Sequence, residues 1–337
     1  MKTGAMKIVV AEPLHLAEAV KQNLGALGPV VYGPFDDRAL ASELADCDVL
    51  MVRLGRHIGP ALLAKAPKLR FILTATTGLD HIDLDAARAG SVRVVSLRDC
   101  PEAIMDVSAT AEHCFGLLLA LVRYTPAAAS HVRAGGWDRD LFWGTQLKGK
   151  RLGVIGYGRI GAMVAGYAAA FGMNVVVYDK MPEKIGSPAT SLSLDELLQS
   201  SDVVSVHVTA TPENRHLIDR AAIAKLKPGA VFINTARSSL VDEAALAGAV
   251  ESGQLRGVAV DVLEGEEHGD VARSPLLVAA RAGHNVLITP HIGGATREAI
   301  ARTETVLVGQ FLKVLKEEGE ERAEPASSGG FRPTSPN

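Results

Sequence analysis

The sequence predicts an α/β protein made of two doubly wound parallel-sheet domains. Three observations carry that reading. Short apolar runs rich in β-branched residues alternate with Ala- and Leu-rich segments of helical spacing over most of the chain. The alternation restarts at Arg151, just ahead of a glycine-rich turn. The 337 residues, 47% of them hydrophobic, suffice for two separate cores.

The first series places strands at 7–10, 30–32, 49–52, 71–74 and 92–95, with helices such as 14–24 and 40–45 between them. Parallel strands need such crossovers, so the order of elements itself argues for a parallel sheet. Met6 opens this fold, with residues 1–5 as an extension. A long helix follows over 109–124, then a turn at Arg133-Ala134-Gly135-Gly136-Trp137. The second series gives six parallel strands at 152–155, 175–178, 203–206, 231–234, 258–261 and 286–289, punctuated by turns such as Lys227-Pro228-Gly229. A last helix covers 296–316. It has no place in a finished six-strand unit, so the second domain (110–291) reads as inserted into the first (6–109 with 292–316). Two crossings, near 109–137 and 290–296, then form a hinge, and a cleft opens between the domains. Residues 317–337 are polar and rich in Pro, Ser and Gly, which predicts a disordered tail with no further domain.

The turn ahead of the second series is Gly156-Tyr157-Gly158-Arg159-Ile160-Gly161, with Asp179 ending the next strand about 18 residues later. Strand, glycine turn, helix, strand and terminal acid together are a dinucleotide-binding fingerprint. Gly156 permits the turn, Gly158 lets a pyrophosphate approach the backbone, and Gly161 lets helix and strand pack closely. The helix N-terminus offers N–H donors to phosphate. Asp179 is placed to accept from ribose hydroxyls and to repel a 2′-phosphate, which predicts NAD over NADP.

The net charge of −3 carries no nucleic-acid or membrane footprint. The densest apolar run, 115–122, is too short to span a bilayer. Cys47, Cys100 and Cys114 are odd in number and form no C-x-x-C or His/Cys cluster, which fits a reducing cytoplasm and predicts no metal site.

Hydride exchange between a nicotinamide and a hydroxy acid needs a proton carrier, a group that tunes it and a cation for the carboxylate. Such groups belong at the carboxyl ends of strands, facing the cleft. His291, Glu266 and Arg237 each follow a strand of the second series. Histidine titrates near working pH, a neighbouring carboxylate stabilises imidazolium, and arginine grips a carboxylate bidentately.

The glycine turn, Asn234-Thr235-Ala236-Arg237, Val260-Asp261-Val262-Leu263 through Glu266, and Thr289-Pro290-His291-Ile292-Gly293-Gly294-Ala295-Thr296 resemble segments of the D-isomer-specific 2-hydroxyacid dehydrogenases, the family of D-3-phosphoglycerate, D-glycerate and D-lactate dehydrogenases. The resemblance runs to about residue 316 and takes in Thr76-Thr77-Gly78-Leu79-Asp80-His81-Ile82-Asp83. It implies a Rossmann NAD-binding domain inserted into a flavodoxin-like substrate domain. It implies His291 as acid/base with Glu266 as its partner, and Arg237 as the carboxylate anchor. Asp261 would meet the nicotinamide carboxamide. Thr235, Ala236, Gly293 and the loop 207–211, with His207, Val208 and Thr209, would line the cofactor. Thr76, Thr77 and Gly78 would receive the substrate carboxylate. Ser238 stands where the family usually has Gly, Glu267-His268-Gly269-Asp270 is an unusual run, and Thr74 occupies a position where phosphoglycerate enzymes carry arginine.

Arg53, Arg56, His57 and Arg98 follow successive strands of the first series, so the substrate is expected to carry a second polar or anionic group. The apolar segment with Trp137, Phe142 and Trp143, beside the helix 109–124, predicts a homodimer. Two rival readings keep the same fold: a phosphonate or other oxyanion as substrate, and an NAD(H)-sensing interaction protein like the corepressors that resemble this family.

Overall fold

The computed structural model describes residues 5–12, 16–266 and 269–321. The first sheet is five-stranded and parallel, in the order β2-β1-β3-β4-β5. Its strands are β1 (Ile8–Val10), β2 (Val30–Tyr32), β3 (Val49–Val52), β4 (Phe71–Thr74) and β5 (Arg93–Ser96). β1, β3 and β4 are buried throughout, as strands covered by helices on both faces must be. This strand order is flavodoxin-like, and its switch point lies between β1 and β3, the place where a ligand crevice forms.

The second sheet has seven parallel strands: β6 (Arg151–Ile155), β7 (Asn174–Tyr178), β8 (Thr190–Ser191), β9 (Val203–Val206), β10 (Ala230–Asn234), β11 (Leu255–Val260) and β12 (Val286–Ile288). Their order is β12-β11-β10-β9-β6-β7-β8, the Rossmann arrangement with one added edge strand. The expectation of six strands is thus corrected to seven. β8 is two exposed polar residues that pair only with β7, so it leaves no apolar mark in the sequence. The switch point lies between β6 and β9.

The helix Ala109–Val122 packs under the second sheet through Cys114, Phe115, Leu118 and Leu121. It stops short of 124, because Tyr124 takes φ +52 and starts a new helix, Thr125–Arg133. The last helix, Arg297–Glu321, returns to the first sheet: Leu307, Val308 and Phe311 share a core with β1, β3 and β4. Phe311 meets Phe71 edge-on at 5.1 Å between ring centres. This helix runs through 317–321, which corrects the tail expectation for those residues; 322–337 lie outside the described residues, as do the start of the expected helix 14–24 and the positions Glu267 and His268. Among the described residues no helix is long and apolar enough to cross a membrane.

Candidate active site

A cleft of about 630 Å³ opens where the carboxyl ends of the two sheets face each other. From the first domain it is lined by Arg53, Thr76, Thr77 and Gly78. From the second come Gly158, Arg159, Ile160, His207, Val208, Thr209, Thr235, Ala236, Arg237, Asp261, His291 and Gly293. Gly156, Tyr157, Gly161 and Asp179 frame its nucleotide end without lining it, and Glu266 stands behind His291.

The glycines show why the turn after β6 has this composition. Gly156 has φ +96, and a Cβ there would lie 2.7 Å from Val208 Cγ1. A Cβ on Gly161 would run into Gly156 O. Both are fixed by protein packing. Gly158 differs: a Cβ there would meet nothing within 4 Å, and the residue caps the helix Arg159–Ala170. Its bare backbone therefore faces open space at a helix N-terminus, which suits a pyrophosphate. Asp179 Oδ2 accepts from Tyr157 N at 2.6 Å and Oδ1 from Met181 N at 2.9 Å. These bonds hold the carboxylate at the turn and leave each oxygen a lone pair for a ribose hydroxyl.

Asn234, buried at the end of β10, shapes the loop that carries Arg237. Its Nδ2 donates to Arg237 O at 2.8 Å, and its Oδ1 accepts from Ala236 N at 3.0 Å. The guanidinium donates from Nη1 to Ala236 O at 2.8 Å and from Nε to Asp80 Oδ2 at 2.6 Å. Burial pushes the Asp80 carboxyl up, but the hydrogen bond and charge of Arg237 outweigh it and hold the group below the usual carboxylate range. Gly78 lies against the same guanidinium, which occupies the space a Cβ would take.

Asp261, at the end of β11, is 1% exposed. It accepts from Thr289 Oγ1 at 2.6 Å, Ile292 N at 2.9 Å and Gly293 N at 2.7 Å, and His113 Nε2 lies 3.3 Å from Oδ1. Burial raises this carboxyl, yet the bonds from His113, Thr289 and the two backbone N–H groups bring it below its ordinary value. The network fixes the loop that carries His291, whose own N–H donates to Asp261 O at 2.9 Å and whose φ is +53. His291 Nδ1 lies 2.7 Å from Glu266 Oε1, while Glu266 Oε2 accepts from Leu263 N at 3.2 Å. With one ring nitrogen held by a carboxylate, the other is available to the cleft.

Beneath the first-domain loop, Thr74 Oγ1 contacts Thr76 Oγ1 at 3.0 Å and His81 Nε2 at 3.2 Å. Thr76 Oγ1 donates to Gly78 O at 2.7 Å. Burial drives His81 down to about 4, with Arg237 adding to the shift and Asp80 opposing it, so the ring is neutral at working pH. Of the expected basic set, Arg53 and Arg98 line the cleft. Arg56 is turned away, donating to Asp37 Oδ1 and Phe35 O, which corrects its placement toward a distal anion. Sequence reasoning assigned nothing to Asp80, His113 or Asn234. Asp80 lies within a segment quoted for the resemblance, and Asn234 sits at a strand end, so both carried a signal; His113 lies mid-helix and carried none.

The family description "D-isomer specific 2-hydroxyacid dehydrogenase, NAD binding domain" matches residues 115–293. D-3-phosphoglycerate dehydrogenase of Mycobacterium tuberculosis is 43% identical over 297 residues, covering 84% of this chain and 53% of that protein. Hydroxypyruvate reductase of Thermotoga maritima is 37% identical over 276 residues, covering 82% of this chain and 87% of that protein. The chain thus spans about half the length of the D-3-phosphoglycerate dehydrogenase and most of the reductase. Among solved structures, D-lactate dehydrogenase from Aquifex aeolicus, complexed with NAD and lactic acid, superposes with a TM-score of 0.78 at 31% identity, covering 94% of this chain and 97% of that one.

Proposed function

The chain belongs to the D-isomer-specific 2-hydroxyacid dehydrogenases, and from that premise we propose that it interconverts a D-2-hydroxy acid and its 2-keto acid with NAD as cofactor. The observation that carries the reading is the 2.7 Å contact of His291 Nδ1 with Glu266 Oε1 at the edge of the cleft that Arg237 and the glycine turn share. When bound along the glycine turn, the dinucleotide would supply or accept the hydride. In the reducing direction His291 Nε2 gives its proton to the substrate oxygen, and Glu266 holds Nδ1–H and stabilises the protonated ring. Arg237 grips the substrate carboxylate and meets the charge that develops on the reacting oxygen. Backbone N–H groups at Thr77 and Gly78 complete the carboxylate site. Asp261, which lines the cleft and whose Oδ2 accepts, among the described residues, only from Gly293 N, would accept from the nicotinamide carboxamide.

Arg53 and Arg98 lining the far wall support a substrate with a second polar or anionic group. Trp137 and Trp143 are 90% and 79% exposed in the single chain, and Leu141 lies exposed between them, which supports a homodimer through this face. The three free cysteines fit a cytoplasmic protein.

The test is NADH oxidation with a panel of 2-keto acids and 2-keto phosphonates. Turnover on a keto acid is expected. Saturable NADH binding with no turnover on any of them would replace the enzyme reading with the sensor reading.

A further inference from the structure

The last helix carries a carboxyl that the proposed mechanism does not use. Glu304 is fully buried, and among the described residues neither of its oxygens has a hydrogen-bond partner. It sits where the helix passes from core to cleft: Ala299 and Thr303 line the cleft, while Leu307, Val308 and Phe311 enter the core of the first domain. An unpaired buried carboxylate is costly, so its presence in a core stripe calls for a partner that arrives from elsewhere.

The charged groups on the elements packed against this helix are engaged away from Glu304. Arg93 and Arg70 reach Glu318 at the far end of the helix. Asp99 accepts from Ser96 N, Arg98 Nε donates to Thr77 O, and Arg302 pairs with Asp106. Glu18 pairs with Lys21, and Glu102 is exposed. Among the described residues, the charge whose pull reaches Glu304 is that of Arg53, which follows β3 at the switch point of the first sheet and lines the cleft. Among the described residues the Arg53 guanidinium makes no hydrogen bond. Its backbone N–H donates to Glu12 Oε2 at 2.7 Å, which places a second half-buried carboxyl beside the same arginine.

We propose that Glu304 is a specificity-determining residue that decides whether the Arg53 end of the cleft takes a second anion. As a neutral acid it leaves the Arg53 charge to a distal carboxylate or phosphate on the substrate. As a carboxylate it cancels that charge across a low-dielectric wall, and the subsite then favours a distal hydroxyl. Burial lifts Glu304 to about 7 against the opposing pull of Arg53, so the exchange falls in the working range. Binding of a distal anion beside Glu304 disfavours its ionised form further, so anion binding and proton uptake are linked. The inference rests on the reading of the cleft as a 2-keto acid site.

The experiment compares kcat/KM for oxaloacetate and for 2-oxo-4-hydroxybutyrate, which differ at the distal end in a carboxylate against a hydroxyl. The ratio divides out every pH effect that the two substrates share. In the wild type it should fall about tenfold between pH 6 and 8.5. In Glu304→Gln and Glu304→Leu it should stay flat, at or above the wild-type value at pH 6; the second variant covers misfolding of the first. A flat wild-type ratio, or variants that keep the wild-type slope, overturns the role of Glu304 and leaves the enzyme reading intact. A slope that vanishes in Glu12→Gln instead assigns the effect to the neighbouring carboxyl and overturns it equally. Wild-type protein inactive on every 2-keto acid overturns the cleft reading and this inference with it.

Discussion

Asp80 and Arg237 reach each other across the two domains, Asp80 Oδ2 accepting from Arg237 Nε at 2.6 Å. With Nη1 on Ala236 O, two edges of the guanidinium are fixed by protein, and Nη2 is left beside Gly78. The guanidinium is thus held in one place by protein, so a carboxylate bound there, as proposed, would pay less ordering cost. Gly78→Ala places a methyl where the guanidinium lies and should displace it. We expect kcat/KM to fall roughly 10- to 100-fold, since small misplacements of a positioning group cost that much. NADH affinity, read by fluorescence titration, should change far less than the keto-acid KM.

His291→Asn should lower kcat by a factor on the order of 10² to 10⁴, the usual worth of a positioned acid/base. Glu266→Gln removes the carboxylate that holds the His291 ring at 2.7 Å, so kcat should fall while NADH affinity is kept. Steady-state kinetics from pH 5 to 9 reads both outcomes. A His291→Asn enzyme with near-normal turnover removes the histidine from the mechanism.

Asp179 is expected to set the cofactor preference. Its carboxylate is held at the turn by Tyr157 N and Met181 N, where it would repel a 2′-phosphate. Wild-type kcat/KM should favour NADH over NADPH by at least about tenfold, roughly the 1.4 kcal/mol that a repelled or missing charge contact supplies. Asp179→Gly should weaken NADH and narrow the gap. Equal use of the two cofactors by the wild type would contradict this assignment.

Glu304 also predicts how stability varies with pH. Its native value of about 7 lies above the ordinary 4.5, so the folded chain keeps a proton that the unfolded chain releases between those values. The contribution of this group is fully present below about pH 4.5 and is lost as pH rises through about 7, a change on the order of 3 kcal/mol. Glu304→Gln should therefore unfold at higher urea concentration than the wild type at pH 8 and show no such gain at pH 4.5. Equal differences at both pH values would mean that the carboxyl does not titrate in this window.

Light scattering should give about twice the chain mass of 35.4 kDa at micromolar concentration. Trp137→Glu with Trp143→Glu should return it to the monomer, because charges on an apolar face oppose its burial. A wild-type mass of one chain would show that this face stays in water.

Legibility followed the physics of each element. β3 and β9 were readable to the residue because strands buried on both faces must be apolar runs. β8 was not, because an edge pairing of two polar residues is held by backbone alone. Arg237, Glu266 and His291 could be read as a set because each follows a strand whose end faces the cleft. Their supports were harder. Asn234 and Asp261 act by pinning loops, and only the folded geometry shows which N–H groups they hold. Glu304 was invisible: on a helix rich in Glu, Lys and Arg, one more acid reads as solvent-facing until the packing shows its stripe to be Leu307, Val308 and Phe311. Arg56 misled because position after a strand does not tell which way a long side chain turns.

The return of the last helix to the first sheet has a consequence for how the chain matures. The seven strands of the second sheet lie in one continuous stretch, Arg151 to Ile288, and can close their core as soon as that stretch leaves the ribosome. The first sheet is synthesised earlier but waits: the core around Phe71 lacks Leu307, Val308 and Phe311 until the last helix is made. The domain made first is thus finished last, and during that interval its incomplete core is open to aggregation and to chaperones.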